Sequence, residues 1–271
     1  MVATVKLGNY VYSCQPRWGF GRPALKGMAE IVAAGRDGYA ARLDRFAALA
    51  PMLAAIPIDA ADDSPAPRWR NPWFTGFDAL ALYGLLAEIK PRLLIEIGSG
   101  NSTKFARRAI RDHGLGTLLI SIDPEPRAEI DALCDEVVRA PAETMDPAVY
   151  SKLQAGDVLF IDSSHRSFAN SDVTALFLEV LPALAPGVVV HVHDVYLPYD
   201  YPPQAEGLLY NEQYLLAALF LGGGLWLEPM FPAFYVSQDP DLSARARPAW
   251  QAIGADSFPA ASNSFWMRVR R

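Results

Sequence analysis

The sequence predicts an α/β fold, a doubly wound and mostly parallel sheet with helices on both faces, behind an N-terminal helical and aromatic extension. Two observations carry this. Five short apolar runs, at 93–97, 118–122, 136–139, 158–161 and 188–192, are rich in Leu, Ile and Val. Continuous apolar runs of this length suit strands buried on both faces, as in parallel sheets. Between them lie segments of helical composition near 101–113, 126–133, 146–154 and 168–181, and strand–helix alternation is the pattern of crossover connections.

The chain falls into an expected extension at 1–70 and a main domain at 71–271. Residues 1–23 carry Tyr10, Tyr12, Trp18, Phe20, Pro16 and Pro23 and read as an irregular aromatic segment. Residues 24–56 are Ala- and Leu-rich and read as two helices broken near Gly35 and Gly38. The Pro- and Asp-rich stretch 57–72 is the best linker candidate. A helix is expected at 77–89, stopped by Pro91. After the fifth run come a Pro/Tyr loop at 197–204, a helix at 211–221 ended by three glycines, and strands near 225–230 and 264–269.

Composition excludes several classes. Of 271 residues 51% are hydrophobic and 20% charged, so the chain is rich enough to build a core and is not disordered. A net charge of −6 argues against nucleic-acid binding, which needs a basic face. Cys14 and Cys134 form neither a disulfide framework nor a metal knuckle and are expected as reduced thiols. No apolar stretch is long enough for a membrane span. Residues 1–12 lack the core and cleavage site of a secretory signal. The expectation is a soluble cytoplasmic protein acting on a small molecule without a membrane partner, with a homo-oligomer left open.

In doubly wound sheets ligands bind beyond the carboxyl ends of the strands. After the first strand stands Glu96-Ile-Gly98-Ser99-Gly100-Asn101-Ser102-Thr103. Glycines permit a tight turn, and the helix that follows presents free N–H groups. A dinucleotide fingerprint requires a third glycine where Thr103 stands, and an acid two residues before the first glycine suits a cationic ligand better than a pyrophosphate. Asp123, after the second strand, suits ribose hydroxyls, or else caps a helix. Asp162 and His165 follow the fourth strand, and His193 and Asp194 end the fifth. His191 lies deeper and reads as a core residue. His165 and His193 read either as chemistry or as a hydrogen-bonded pair shaping a pocket.

The E-x-G-x-G run resembles the first motif of class I S-adenosylmethionine-dependent methyltransferases. The resemblance implies a Rossmann-like fold that binds S-adenosylmethionine. It puts Glu96 near the positively charged methionine end of the cofactor, with Gly98, Ser99, Gly100, Asn101, Ser102 and Thr103 lining it. Asp123 would hold the ribose, Ala142 and Glu143 would flank the adenine, and Asp162 and Ser163 would complete the set. The strand ends at 162–165 and 193–194 are similar to catechol- and caffeoyl-CoA-type O-methyltransferases. There, two acids and an Asn hold a divalent metal, and a basic residue stands three positions after the first acid. Asp162, His165 and Asp194 match, but Val195 replaces the Asn. A divalent metal is therefore an option rather than a requirement, with Asp162, His193 and Asp194 as its ligands. Residues 162–187 followed by 191–202 also resemble a broad bacterial group of class I methyltransferases, and the resemblance spans about 71–271.

The implied activity is methyl transfer to a hydroxyl of a sugar, polyketide or phenol. His165, with an ordinary pKa near 6.5, is the candidate general base, and Asp162, Asp194 and His193 support it. The aromatic residues of 10–20, 71–74 and 196–201 are candidates for a cover that excludes water, or for packing or an oligomer interface. The alternatives are a nicotinamide-dependent oxidoreductase on a similar sheet and a non-catalytic binding protein of this fold.

Overall fold

The structure is a computed structural model that describes residues 3–7, 9–61, 63–74, 76–223, 226–254 and 262–270. The chain opens with an antiparallel hairpin, β1 (Ala3–Leu7) and β2 (Tyr10–Cys14). Helices α1 (Lys26–Ala33), α2 (Arg36–Ala47) and α3 (Ala50–Ala54) follow, then α4 (Phe77–Ile89). The main run is β3 (Leu93–Ile97), α5 (Asn101–Asp112), β4 (Leu118–Ile122), β5 (Glu136–Val138), β6 (Val158–Ile161), α6 (Asp172–Ala175) and β7 (Val189–Val192). It closes with α7 (Glu212–Leu221), β8 (Leu227–Pro232), α8 (Ala233–Gln238), α9 (Pro240–Arg245), α10 (Arg247–Ile253) and β9 (Phe265–Val269).

Seven strands form one sheet in the order β5-β4-β3-β6-β7-β9-β8. The first five are mutually parallel, and β9 enters antiparallel between β7 and β8. This is a Rossmann-like, doubly wound α/β sheet with an antiparallel edge. From β3 the chain moves outward through β4 and β5, then returns to lay β6 on the other side of β3. The β3/β6 boundary is therefore the topological switch point, where the loops after the two strands diverge and leave a crevice. Both strands are buried along their whole length, as their unbroken apolar sequences require. Helix α4 is apolar on all sides and is buried from Phe77 to Leu86, so it forms an interior layer.

Several expectations are corrected. The aromatic segment at 1–23 contains a hairpin. Its β-forming residues flank a Gly-Asn pair, a two-residue hairpin signal that outweighs the aromatic and proline content. The expected helices at 126–133 and 146–154 are only short 3-10 turns at Asp131–Leu133 and Pro147–Lys152. Pro124 and Pro126 remove two N–H donors where the first would start. The expected helix at 168–181 begins only at Asp172, where the Ser171 side chain caps it, and continues from α6 as a π-turn at Leu176–Val180. The helical extension breaks at Gly35 as expected, but Gly38 lies inside α2 and the second break is near Leu49. The glycines at 224 and the start of the strand expected at 225 lie outside the described residues.

The Pro/Asp-rich stretch at 57–72 packs against the main sheet's helices. Trp69 is fully buried, its ring centroid 5.3 Å from that of Phe105 and 6.1 Å from that of Trp250, and its indole N–H donates to Leu53 O at 3.2 Å. The N–H groups of Trp69 and Arg70 donate to Pro57 O and Ile58 O, folding the stretch back on itself. Truncating a buried Trp forfeits both its transfer free energy and the packing around it. Trp69→Ala is expected to lower stability by about 3–5 kcal/mol in urea unfolding. A loss below about 1 kcal/mol would mean that this stretch is loosely attached.

Candidate active site

The turn from β3 into α5 is built around two glycines with different jobs. Gly98 has φ +77°, and a Cβ there would overlap the carbonyl oxygen of Asp162. Asp162 N–H in turn donates to Ile97 O at 2.8 Å, so the ends of β3 and β6 are in direct contact. A Cβ on Gly100 would instead enter open space, with Arg127 Cβ nearest at 3.9 Å. Its missing side chain leaves room for a ligand.

Glu96 sits behind this turn. It is 1% exposed and accepts from Ser102 Oγ and Thr103 Oγ1, each at 2.6 Å. Thr103 Oγ1 also accepts from Gly100 N–H at 3.0 Å. Glu96 therefore anchors the first turn of α5 to the strand end, and neither it nor Thr103 faces the cavity in front. Burial pushes the Glu96 carboxyl up to about 8, against the pull of the two hydroxyl donors.

That cavity has a volume of about 560 Å³ and opens at the switch point. Of the residues expected at a cofactor, the turn from Gly98 to Ser102 lines it, together with Asp123, Ala142, Glu143, Asp162 and Ser163. Asp123 accepts from Ser99 N–H at 2.7 Å and Glu125 N–H at 2.8 Å, tying the loop after β4 to the glycine turn. No α-helix begins after Asp123, so it caps none. The lining is acidic: Asp123, Glu125, Glu143, Asp162 and Asp172 contribute five carboxylates, and Arg127 is its one Lys or Arg.

Behind Asp162 lies a buried cluster of acids and imidazoles. His165, 3% exposed, holds its Nε2 at 3.2 Å from Asp162 Oδ1 and 3.3 Å from Asp194 Oδ2, and its Nδ1 contacts Glu212 Oε1. His193 Nδ1 stands 3.6 Å from both Asp162 Oδ1 and Asp194 Oδ1, and its Nε2 faces Asp78 Oδ2 at 3.5 Å. His165 and Asp194 both have positive φ, 61° and 53°, a conformation that bulky residues rarely adopt and that clusters at functional sites. The sequence placed 162, 165, 193 and 194 together. It carried no signal for Asp78 and Glu212, which come from α4 and α7 and meet the cluster only through tertiary packing.

This environment moves the imidazole of His165 away from its ordinary pKa. Burial opposes its charge, but Glu212, Asp162 and Asp194 together raise its pKa well above 6.5. For His193, burial likewise opposes charge, yet Asp162, Asp78 and Asp194 lift it to about 10. The surrounding acids thus favour the charged form of both rings. Burial alone would raise Asp162, but the two imidazoles hold it well below the usual carboxylate range. His191 is a core residue: it stacks on Phe160 at 3.7 Å, bonds Ser264 Oγ through Nε2 at 2.9 Å, and burial keeps it neutral.

Among the described residues no group of three His, Cys, Asp or Glu is arranged to hold a metal ion. The donor set expected for a divalent cation does not fit one as it stands.

Residues 95–195 match the family model described as a methyltransferase domain. This stretch of the chain is therefore similar to a methyltransferase domain. It runs from within β3 to just past β7, and so takes in the glycine turn, Asp123, Asp162, His165 and Asp194. Among solved structures the chain is similar to the S-adenosylhomocysteine-bound methyltransferase PaMTH1 of Podospora anserina, with 14% identity, 71% of this chain and 78% of that chain covered, and a TM-score of 0.41. It is similar to an O-methyltransferase from Bacillus cereus in complex with S-adenosylhomocysteine, at 16% identity, 91% and 99% coverage and a TM-score of 0.39. It is also similar to cofactor-bound Rv0187 from MTB, at 17% identity, 83% and 88% coverage and a TM-score of 0.34. No curated protein matches the sequence. Among the described residues no helix is long and apolar enough to cross a membrane.

The raised pKa of Glu96 has a measurable consequence. In the unfolded chain Glu96 ionises near 4.5, whereas in the fold it keeps its proton up to about 8. Its stabilising contribution is complete below pH 4.5 and is lost as pH rises through 8, with a slope of at most about 1.4 kcal/mol per pH unit. Glu96→Gln should flatten the fall in stability across this window, as read from urea midpoints at pH 5, 6.5 and 8. An unchanged slope would show that Glu96 is ionised in the fold.

Proposed function

We propose that the chain transfers a methyl group from S-adenosylmethionine to a hydroxyl of a neutral small molecule, a sugar, polyketide or phenol. The observation that carries the cofactor is the lining of the switch-point cavity, five carboxylates and one arginine around a glycine turn. That lining favours a sulfonium with an ammonium group and repels the pyrophosphate of a nicotinamide dinucleotide. The room in front of Gly100 supports a ligand lying against the turn, and Asp123, with carboxylate lone pairs remaining, suits ribose hydroxyls. When bound, the cofactor supplies an electrophilic methyl group for in-line displacement.

The chain's own residues have separable tasks. Asp162 faces the cavity and is kept ionised by His165 and His193. It accepts the hydrogen bond of the acceptor hydroxyl, and the proton, made strongly acidic as the oxygen gains its new bond to carbon, passes along that hydrogen bond to the Asp162 carboxylate. His165 and His193 hold Asp162 and Asp194 in place as cations rather than removing the proton themselves. Residues 16–25 act as a fixed cover over the acceptor side. In support, Asp200 accepts from Arg17 N–H at 2.8 Å and its N–H donates to Trp18 O, and Leu25 N–H donates to Pro198 O. A cover of this kind keeps water from competing for the methyl group.

Two experiments test the reading. In thermal-shift measurements S-adenosylhomocysteine should raise the Tm of wild type but not of Gly100→Val, and NAD and NADP should raise neither. Stabilisation by NAD alone would replace the assignment with an oxidoreductase. Once untargeted profiling with a labelled methyl donor has found an acceptor, Asp162→Asn should keep S-adenosylhomocysteine affinity within a few-fold. Its turnover should fall by about 10²–10⁴-fold. Turnover within a few-fold of wild type would remove Asp162 from the chemistry.

A further inference from the structure

The cavity's single arginine has no carboxylate partner among the described residues, although the wall around it is acidic. Arg127 hangs over the glycine turn: its N–H donates to Ser99 O at 3.4 Å, and its Cβ is the atom nearest the empty side-chain position of Gly100. From there the guanidinium reaches across the mouth and lies 4.7 Å from the ring centroid of Trp73. Trp73 is 57% exposed, so hydrophobic burial does not explain its position. A neighbouring side chain holds it there. Asn71 is buried, and its Oδ1 accepts from Trp73 N–H at 3.1 Å and Phe74 N–H at 2.7 Å. Its Nδ2 donates to Arg68 O and Phe74 O.

We propose that Arg127, clasped on Trp73, binds the carboxylate of the cofactor's amino-acid end. This rests on the cofactor reading above. An amino-acid ligand is a zwitterion, and a wall of five carboxylates that welcomes its cationic groups repels its carboxylate. That charge needs a donor, and the cavity offers one guanidinium, placed above the turn where the first amides of α5 have no partner within the helix. Stacking on Trp73 fixes the plane of the guanidinium while leaving its N–H edge free for a carboxylate. Cation and amides together make this part of the cavity recognisable by charge.

The test is calorimetric titration of wild type, Arg127→Ala and Trp73→Ala with two ligands. S-Adenosylhomocysteine carries the amino-acid end, and 5′-methylthioadenosine has the same adenosine and thioether without it. Loss of a charge-assisted bond should weaken S-adenosylhomocysteine by about 10–100-fold in Arg127→Ala and by a smaller factor in Trp73→Ala. Methylthioadenosine should bind all three proteins within about 2-fold. Equal weakening of both ligands, or no weakening of either, overturns the role of Arg127 while leaving the cofactor assignment standing. If wild type binds neither ligand, the cofactor assignment fails and this inference fails with it. Arg127 is exposed, so its truncation leaves the core intact.

Discussion

The contact between the ends of β3 and β6 is the constraint on which the site depends. Gly98 approaches the carbonyl of Asp162 so closely that no side chain fits between them. Everything in the cavity takes its position from that contact. On one side the turn continues into α5, braced from behind by Glu96 through Ser102 and Thr103. On the other, Asp162 is delivered to the cavity wall with its backbone already engaged by Ile97. A parallel sheet brings these loops to the same edge, and the chain reversal at the switch point keeps the crevice between them open.

Electrostatics divides the site into two zones. The front wall holds exposed or half-buried carboxylates and one arginine, an arrangement selective for a cationic ligand. The zone behind Asp162 is largely buried, and there two imidazoles sit among four carboxylates: Asp78, Asp162, Asp194 and Glu212. Buried ion pairs of this kind add little net stability, because desolvation offsets their mutual attraction. Their effect is to fix protonation states. The acids favour the charged form of both rings and the rings favour the ionised form of Asp162, so the group presented to the cavity is a carboxylate of set charge and direction.

The same physics explains why the sequence motif read correctly as a turn and incompletely as a set of contacts. An acid two residues before a glycine turn was expected to face a positively charged ligand. In the fold it faces the helix it precedes, because alternation along β3 directs Glu96 away from the crevice while the turn brings Ser102 and Thr103 over it. A short-range pattern thus marked the right loop while leaving open which side of the loop the acid would serve.

What the amino-acid order determined by itself is what neighbouring residues settle among themselves. The runs at 93–97, 118–122 and 158–161 are strands at those very bounds, and the helix at 77–89 is where its pattern put it. Strand burial, the glycine turn and the acids at the strand ends are all local, since each depends on composition and spacing within a dozen residues. Tertiary structure decided the rest. Asp78, Arg127 and Glu212 enter the site from α4, from the loop after β4 and from α7. No spacing rule links them to Asp162 or His165. The charge of His165 is likewise invisible in its own segment, where it reads as an imidazole of ordinary pKa. Burial opposes its charge, but Glu212, 47 residues further along, accepts a hydrogen bond from its ring and, with Asp162 and Asp194, favours the charged form. Protonation is set by the sum of every charge and dipole nearby in space, and that sum exists only once the chain is folded.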